Sequence, residues 1–200
     1  MIRKSWLLLP LVVLATTATA FPQAENGPFV LDVSGGFTFP TGDNMDPFER
    51  GFAFEGAVGY RVTTRLDLGV LYGYDRFGYP DDVESSASEA GVDIGFSQQR
   101  IGGYLRAFFN EGRKRFYTRI ALSRCSVSQT VPVRTPGGDV VGTSEFADDY
   151  LCAGGGLGVQ LRGDDDANLN LDLMHHTIFT DDGDGHFLTL TLGGSFGFQL

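Results

Sequence analysis

Apolar side chains alternate with small or polar ones along most of this chain. In its last stretch Leu188, Leu190, Leu192, Phe196, Phe198 and Leu200 fall at every second position, interrupted only by Gly194. Thr189, Thr191, Gly193, Ser195, Gly197 and Gln199 lie between them. A period of two is the signature of a strand, whose successive side chains point to opposite faces. Seven further segments carry the same pattern: Phe29 to Phe39, Phe52 to Val62, Leu66 to Asp75, about Arg100 to Phe109, Arg115 to Cys125, Leu151 to Arg162 and Ala167 to about Phe179. Most come close to the ~9–11 residues that a tilted strand needs to cross a bilayer. Their connections take turns in length. Positions 63–65, 110–114 and 163–166 are tight turns, whereas 40–51, 78–99, 126–150 and 180–186 are long. The expected fold is all-β, an eight-stranded antiparallel up-and-down transmembrane β-barrel with its short turns in the periplasm and its long loops outside.

Alternation defines two faces without saying which one points inward. A secreted, lipocalin-like carrier would turn the apolar face toward a ligand, and a membrane barrel would turn it toward lipid. Two features favour lipid. Aromatics on the apolar face gather near strand ends: Phe37, Phe39, Phe52, Phe54, Tyr72 and Tyr74 on the loop side, and Phe29, Tyr60, Phe109, Phe116, Phe196 and Phe198 on the turn side. Two such girdles suit two membrane interfaces. The polar face also carries Gly36, Gly59, Gly69, Gly73, Gly102, Gly154, Gly156 and Gly158. A wet surface would favour Lys and Thr there, whereas a crowded lumen needs room for large side chains.

Composition sharpens this picture. Arg3 and Lys4, an apolar run from Trp6 to Ala15 and Ala18-Thr19-Ala20 predict a cleaved signal peptide over residues 1–20. The run is too short for the ~20 residues of a spanning helix. Residues 21–200 then form a single domain. Removing two bases and no acids takes the formal charge from -10 to -12. An acidic chain whose only remaining lysine is Lys114 excludes nucleic acid as a partner. The mean hydropathy of -0.04 does not argue against a membrane, since half of each barrel strand is polar.

At Ser34-Gly35-Gly36-Phe37 with Thr41-Gly42-Asp43, through Gly56 to Gly73 with Gly59-Tyr60-Arg61 leading into a tight turn, and again at the terminal Gly194 to Leu200, the sequence resembles the small outer-membrane β-barrel family of OmpA-like and opacity-type proteins. The resemblance spans Phe29 to Leu200. It implies residence in the outer membrane of a Gram-negative-type envelope, a monomer in contact with lipid and lipopolysaccharide, and handling by the barrel-assembly machinery during biogenesis. The final Leu200 departs from the aromatic residue that usually ends the family. Such proteins serve envelope integrity, lipopolysaccharide contact or adhesion through their outer loops.

Candidate chemistry on the polar face is mostly charge. Asp32, Glu55, Asp67, Asp75 and Asp172 stand against Arg61, Arg100, Arg106, Arg115, Arg119 and Arg162. In a lumen that side chains nearly fill, these are expected to pair as a structural ion network, because an unpaired buried charge is costly. Cys125 and Cys152 share the lumen parity of consecutive strands and flank one long loop, so a disulfide is expected if the register places them opposite. His175-His176-Thr177 is the one segment with a nucleophile near a base, and by parity His175 and Thr177 face lipid while His176 faces the lumen. It is similar to the His-x-Ser pair of lipid A deacylases, but Thr177 replaces Ser, Ile178 replaces the following Asn, and no Glu occurs after Glu145. An outer-leaflet lipid A-modifying hydrolase is therefore an alternative, and the primary expectation is no enzyme, no cofactor and no metal. Asp181-Asp182-Gly183-Asp184-Gly185 lacks the distal Glu of a calcium loop.

Overall fold

The computed structural model describes residues 28–42, 45, 48–80, 83, 85, 87, 89, 94–134, 140–163, 167–181 and 183–198, with the side chains of 131, 132, 134, 140, 141 and 143 left aside. The expected signal segment 1–20, the loop acids Asp81, Asp82, Glu84 and Asp182, and Gln199 and Leu200 lie outside the described residues. Within them the chain runs β1 (Phe29–Thr41), β2 (Glu49–Thr63), β3 (Leu66–Gly78), β4 (Gly95–Phe108), β5 (Lys114–Arg134), β6 (Val140–Arg162), β7 (Ala167–Phe179) and β8 (Gly185–Phe198). Each strand pairs antiparallel with its sequence neighbours, and β1 pairs with β8, so the sheet closes. Closure leaves no backbone edge within the spanning band, which is what a bilayer without water demands of strands.

The apolar face points outward. Val70, Ile101, Leu122, Leu157 and Leu192 are each more than half exposed on the barrel wall, as are Phe37 and Phe109 in the two girdles. The opposite parity is buried: Asp67, Asp75, Gln98, Tyr117 and Ser195 have essentially no exposure. A ligand-carrying barrel would show the reverse. The wall is built for lipid, and the carrier reading ends here.

Two segments differ from expectation. Residues 126–134 and 140–150, expected in a loop, are strand. β5 and β6 continue as a ladder through Ser126↔Asp149, Gln129↔Phe146 and Val133↔Gly142. Val127, Thr130, Val131 and Val133 favour strand, but their neighbours drop the apolar face that marks a lipid-crossing segment, so the alternation is lost where the membrane ends. The connection after β3 also has structure. Val83, Ser85, Ala87 and Glu89 are helical, and the Val83 N–H donates to the Pro80 carbonyl over 2.9 Å. Ala87 is completely buried.

Candidate functional site: a divided lumen beneath an exposed outer rim

On the periplasmic side, near the tight turns, the lumen is filled by charge. Arg106 is the hub. Its guanidinium lies 2.9 Å from Asp67 Oδ2 and 3.2 Å from Asp32 Oδ2. Asp67 also holds Arg61 Nε at 3.2 Å. Asp32 accepts from Tyr104, Asn170 and Ser195, and the Tyr104 and Asn170 bonds are both 3.4 Å. Gln160 donates to Asn170 over 3.0 Å, extending the network across β6 and β7. One step farther out, Arg119 Nη1 meets Glu55 Oε1 at 2.5 Å, and Arg100 Nε stands 3.0 Å from Asp75 Oδ2.

For three residues of the expected network the structure shows a contact or position beyond ion pairing. Asp172 accepts a 2.6 Å hydrogen bond from the Tyr117 phenol. The partners seen for Arg115 are neutral: it donates to the Thr64 carbonyl and, over 3.5 Å, to Gln160, and it lies 3.6 Å over the Phe108 ring. Arg162 is exposed at the turn end of β6, so it belongs to the periplasmic rim, outside the packed lumen. Lumen parity puts a side chain on the inner wall without saying how far from the mouth it sits or which neighbour reaches it.

Glycines opposite the large groups make this packing possible. Gly158 pairs directly with Tyr117, and a Cβ there would collide with the phenol ring. Gly59 and Gly69 leave the same kind of space for Tyr104. A Cβ at Gly73 would lie 2.9 Å from Arg100 Nη2, and one at Gly154 would lie 2.8 Å from His176 Nδ1.

Toward the outer end the filling changes to apolar. Phe77, Phe96, Phe187, Ile178 and the Cys125–Cys152 disulfide pack with Met45 and Phe48 from the first outer connection and Tyr79, Ala87 and Ile94 from the second. Ring centroids are 4.4 Å apart for Phe48–Phe96 and 5.5 Å for Phe77–Phe187. Among the described residues the lumen carries packed side chains toward both ends, but the expectation of a uniformly polar filling fails in its outer part. An adjacent apolar pair was the available signal: Phe187-Leu188 puts a ring on the inner face and an aliphatic side chain on the outer one. The two cysteines are not directly opposite. Cys125 pairs with Tyr150 and Cys152 with Ser123, so the bridge runs diagonally across the ladder with its Cα atoms 6.0 Å apart. Gln98 Nε2 lies 3.0 Å from Cys125 Sγ and covers the bridge from the polar side.

His176 marks the boundary. It stacks on Phe187 with centroids 4.7 Å apart, and Arg100 Nη1 stands 2.6 Å from its Nδ1. Outside the barrel, His175 stacks on His186 at 5.5 Å, and Thr177 Oγ1 is 3.2 Å from His186 Nδ1. The hydroxyl therefore meets the histidine of the neighbouring strand, not His175. Among the described residues no group of three or more His, Cys, Asp or Glu side chains could hold a metal ion.

A closed antiparallel barrel with a lipid-facing wall and a filled lumen defines an integral outer-membrane protein. Residues 8–196 match the model of the outer membrane protein beta-barrel domain, and the chain belongs to that family. Solved structures agree on the fold. Neisserial surface protein A shares 16% identity over 85% of this chain and 97% of its own, with a TM-score of 0.63. A major outer membrane protein from Thermus thermophilus shares 13% identity over 85% and 99%, at 0.55. OprG from Pseudomonas aeruginosa shares 9% over 89% and 99%, at 0.50. Comparison with curated proteins finds no match.

Proposed function

We propose that this protein is a monomeric, non-conducting barrel, inserted by the barrel-assembly machinery, whose work is done at its outer face. Its roles there are contact with lipopolysaccharide and presentation of the β5–β6 arm to surface ligands, with envelope integrity as the structural consequence. The observation that carries this reading is the doubly filled lumen. Arg106, Tyr117, Phe77 and Phe187 are among its largest fully buried side chains, and they obstruct it at two levels. An eight-stranded cylinder has little width beyond its own side chains. The β5–β6 ladder, by contrast, leads away from the band of lipid-facing residues and exposes Val133, Phe146 and Asp148.

Geometry argues against the hydrolase alternative. A nucleophilic hydroxyl needs a base whose second nitrogen is oriented by a further group. Thr177 has His186 beside it, and the adjacent ring contact on that histidine is His175, another imidazole. Single-channel recording of the purified protein in a planar bilayer tests the main reading. No stable conductance is expected from the unmodified barrel, and a reproducible ionic current would overturn it.

A further inference from the structure

We propose that the Cys125–Cys152 bridge is made while the barrel is still open, by a periplasmic thiol–disulfide oxidoreductase acting on the β5–β6 hairpin, and that closure then seals it. The geometry that forms the bond is local to that hairpin. Cys125 pairs with Tyr150 and Cys152 with Ser123, which holds the two Cα atoms 6.0 Å apart, inside the range a disulfide spans. Nothing from another strand is needed to bring the sulphurs together.

The cover over the bond is not local. Cys125 has no exposure and Cys152 only 1%. The apolar side chains packed with them include Phe77 of β3, Phe96 of β4, Ile178 of β7 and Phe187 of β8, with Phe48 from the first outer connection. Gln98 of β4 places its Nε2 3.0 Å from Cys125 Sγ and 3.6 Å from Cys152 Sγ. Among the described residues, β5 and β6 add to this packing only Val127 and Tyr150, both partly buried. The rest of the cover arrives when the other strands join the sheet.

Oxidation by exchange needs room at the sulphur. The thiolate of one cysteine attacks a sulphur of the oxidoreductase's disulfide, which breaks as a mixed disulfide forms. The second cysteine thiolate then attacks the first cysteine's sulphur and expels the enzyme thiolate. The chain gives up two electrons and two protons, and the enzyme takes up both pairs and leaves as a dithiol. Attacking, central and departing sulphurs stand nearly in line, so a protein-sized partner must reach Sγ from outside. In the closed lumen the side chains of four other strands occupy that approach. On the open hairpin one whole face of the ladder is free.

This order gives the bridge a use in assembly. β5 and β6 are the longest strands among the described residues, at 21 and 23 residues. A two-stranded hairpin alone is only marginally stable in water. A slip of one residue between the two strands would put the sulphurs on opposite faces. A bridge made at this stage therefore fixes a hairpin whose lipid and lumen parities agree before the sheet closes around it.

The full-length mature protein provides the test, with free thiols counted by gel shift after denaturation and alkylation with a polyethylene-glycol maleimide. A purified thioredoxin-fold oxidant is added to the reduced chain in urea, or to the same chain once it has folded into lipid vesicles and become protease-resistant. The bridge should form about a hundredfold faster in the open chain, because the closed barrel must first open around the sulphurs. Equal rates would overturn the proposal. The reverse reaction serves if the reduced chain does not fold. Dithiothreitol should cleave the bridge of the native barrel about a hundredfold more slowly than that of the urea-unfolded chain. Phe48→Ala should speed cleavage in the native barrel severalfold by thinning the cover, and Glu111→Gln at a periplasmic turn should leave it unchanged. Identical cleavage of these two variants would sink the seal. In pulse-labelled cells the oxidised chain should appear before the protease-resistant one. A closed, reduced barrel that gains its bridge later would reverse the order and end the proposal.

Discussion

Near the periplasmic turns the lumen is packed by Arg106, Asp32, Asp67, Arg119 and Glu55, all carried by strands. At the outer end it is packed by Phe77, Phe96 and Phe187 together with Met45, Phe48, Tyr79 and Ala87, which lie between strands. The first filling is supplied by the wall itself and depends on every partner being present, because removing one leaves a buried charge behind. The second borrows side chains from the outer connections and depends on volume, which neighbouring apolar groups can partly restore. A barrel of this width can thus be closed by charge where only strands are available and by apolar packing where loops fold inward.

The largest expected effect separates the two. Arg106→Met should strand Asp32 and Asp67 and destabilise the barrel by about 3–5 kcal/mol. Adding Asp32→Asn and Asp67→Asn should recover roughly half of that loss, since a pair removed whole is far less costly than a pair broken. Phe187→Ala should cost a similar ~3–5 kcal/mol through the cavity it leaves, with no such recovery when charges elsewhere are neutralised. Equilibrium unfolding in urea from lipid vesicles measures all three. Failure of the triple variant to recover stability would remove the distinction between the two fillings.

Loss of the disulfide comes next. Replacing Cys125 and Cys152 by Ala should lower stability by about 2–4 kcal/mol through release of the loop they close. Because the bridge sits among apolar groups at the outer end, the loss should be nearly additive with that of Arg106→Met. Strong coupling would mean that the two fillings act as one.

Gly158→Ala should cost about 1–3 kcal/mol by forcing Tyr117 from its site and disturbing its bond to Asp172. Combined with Tyr117→Leu it should cost less than the sum of the single changes, read in the same unfolding assay. Additive losses would show that the glycine makes no room for the ring.

The smallest effect belongs to the arm beyond both fillings. Hydrogen bonds from Arg124 and Ser126 hold the Asp149 carboxyl below the ordinary carboxylate value of 3.8. A depressed value means the contact contributes fully above that ordinary value and is lost as pH falls through the lowered one. Carboxyl chemical shifts followed by NMR should place the Asp149 midpoint below 3.8, and Arg124→Gln should move it back up. A midpoint unaffected by Arg124→Gln would remove this contact from the arm.

Much of the architecture was legible in the chain because a period of two is local. β7 has the expected bounds of Ala167 and Phe179, and β1, β2 and β3 differ only by a few residues at their ends. The faces were legible too, and so was the shared parity of Cys125 and Cys152. What the sequence by itself determined is therefore the set of strands, their order and the two faces of each. Periodicity is blind to which face meets lipid, and there the aromatic girdles and the polar-face glycines of the sequence had already pointed the apolar face outward. Tertiary structure decided the rest. The length of β5 and β6 beyond Cys125 and Leu151 depends on pairing with each other once lipid no longer demands an apolar face. The diagonal bridge, the neutral partners of Arg115, the displacement of Arg162 to the rim and the aromatic outer plug all depend on height within the barrel. Height is set by the stagger between strands, and that stagger exists only after the sheet has closed.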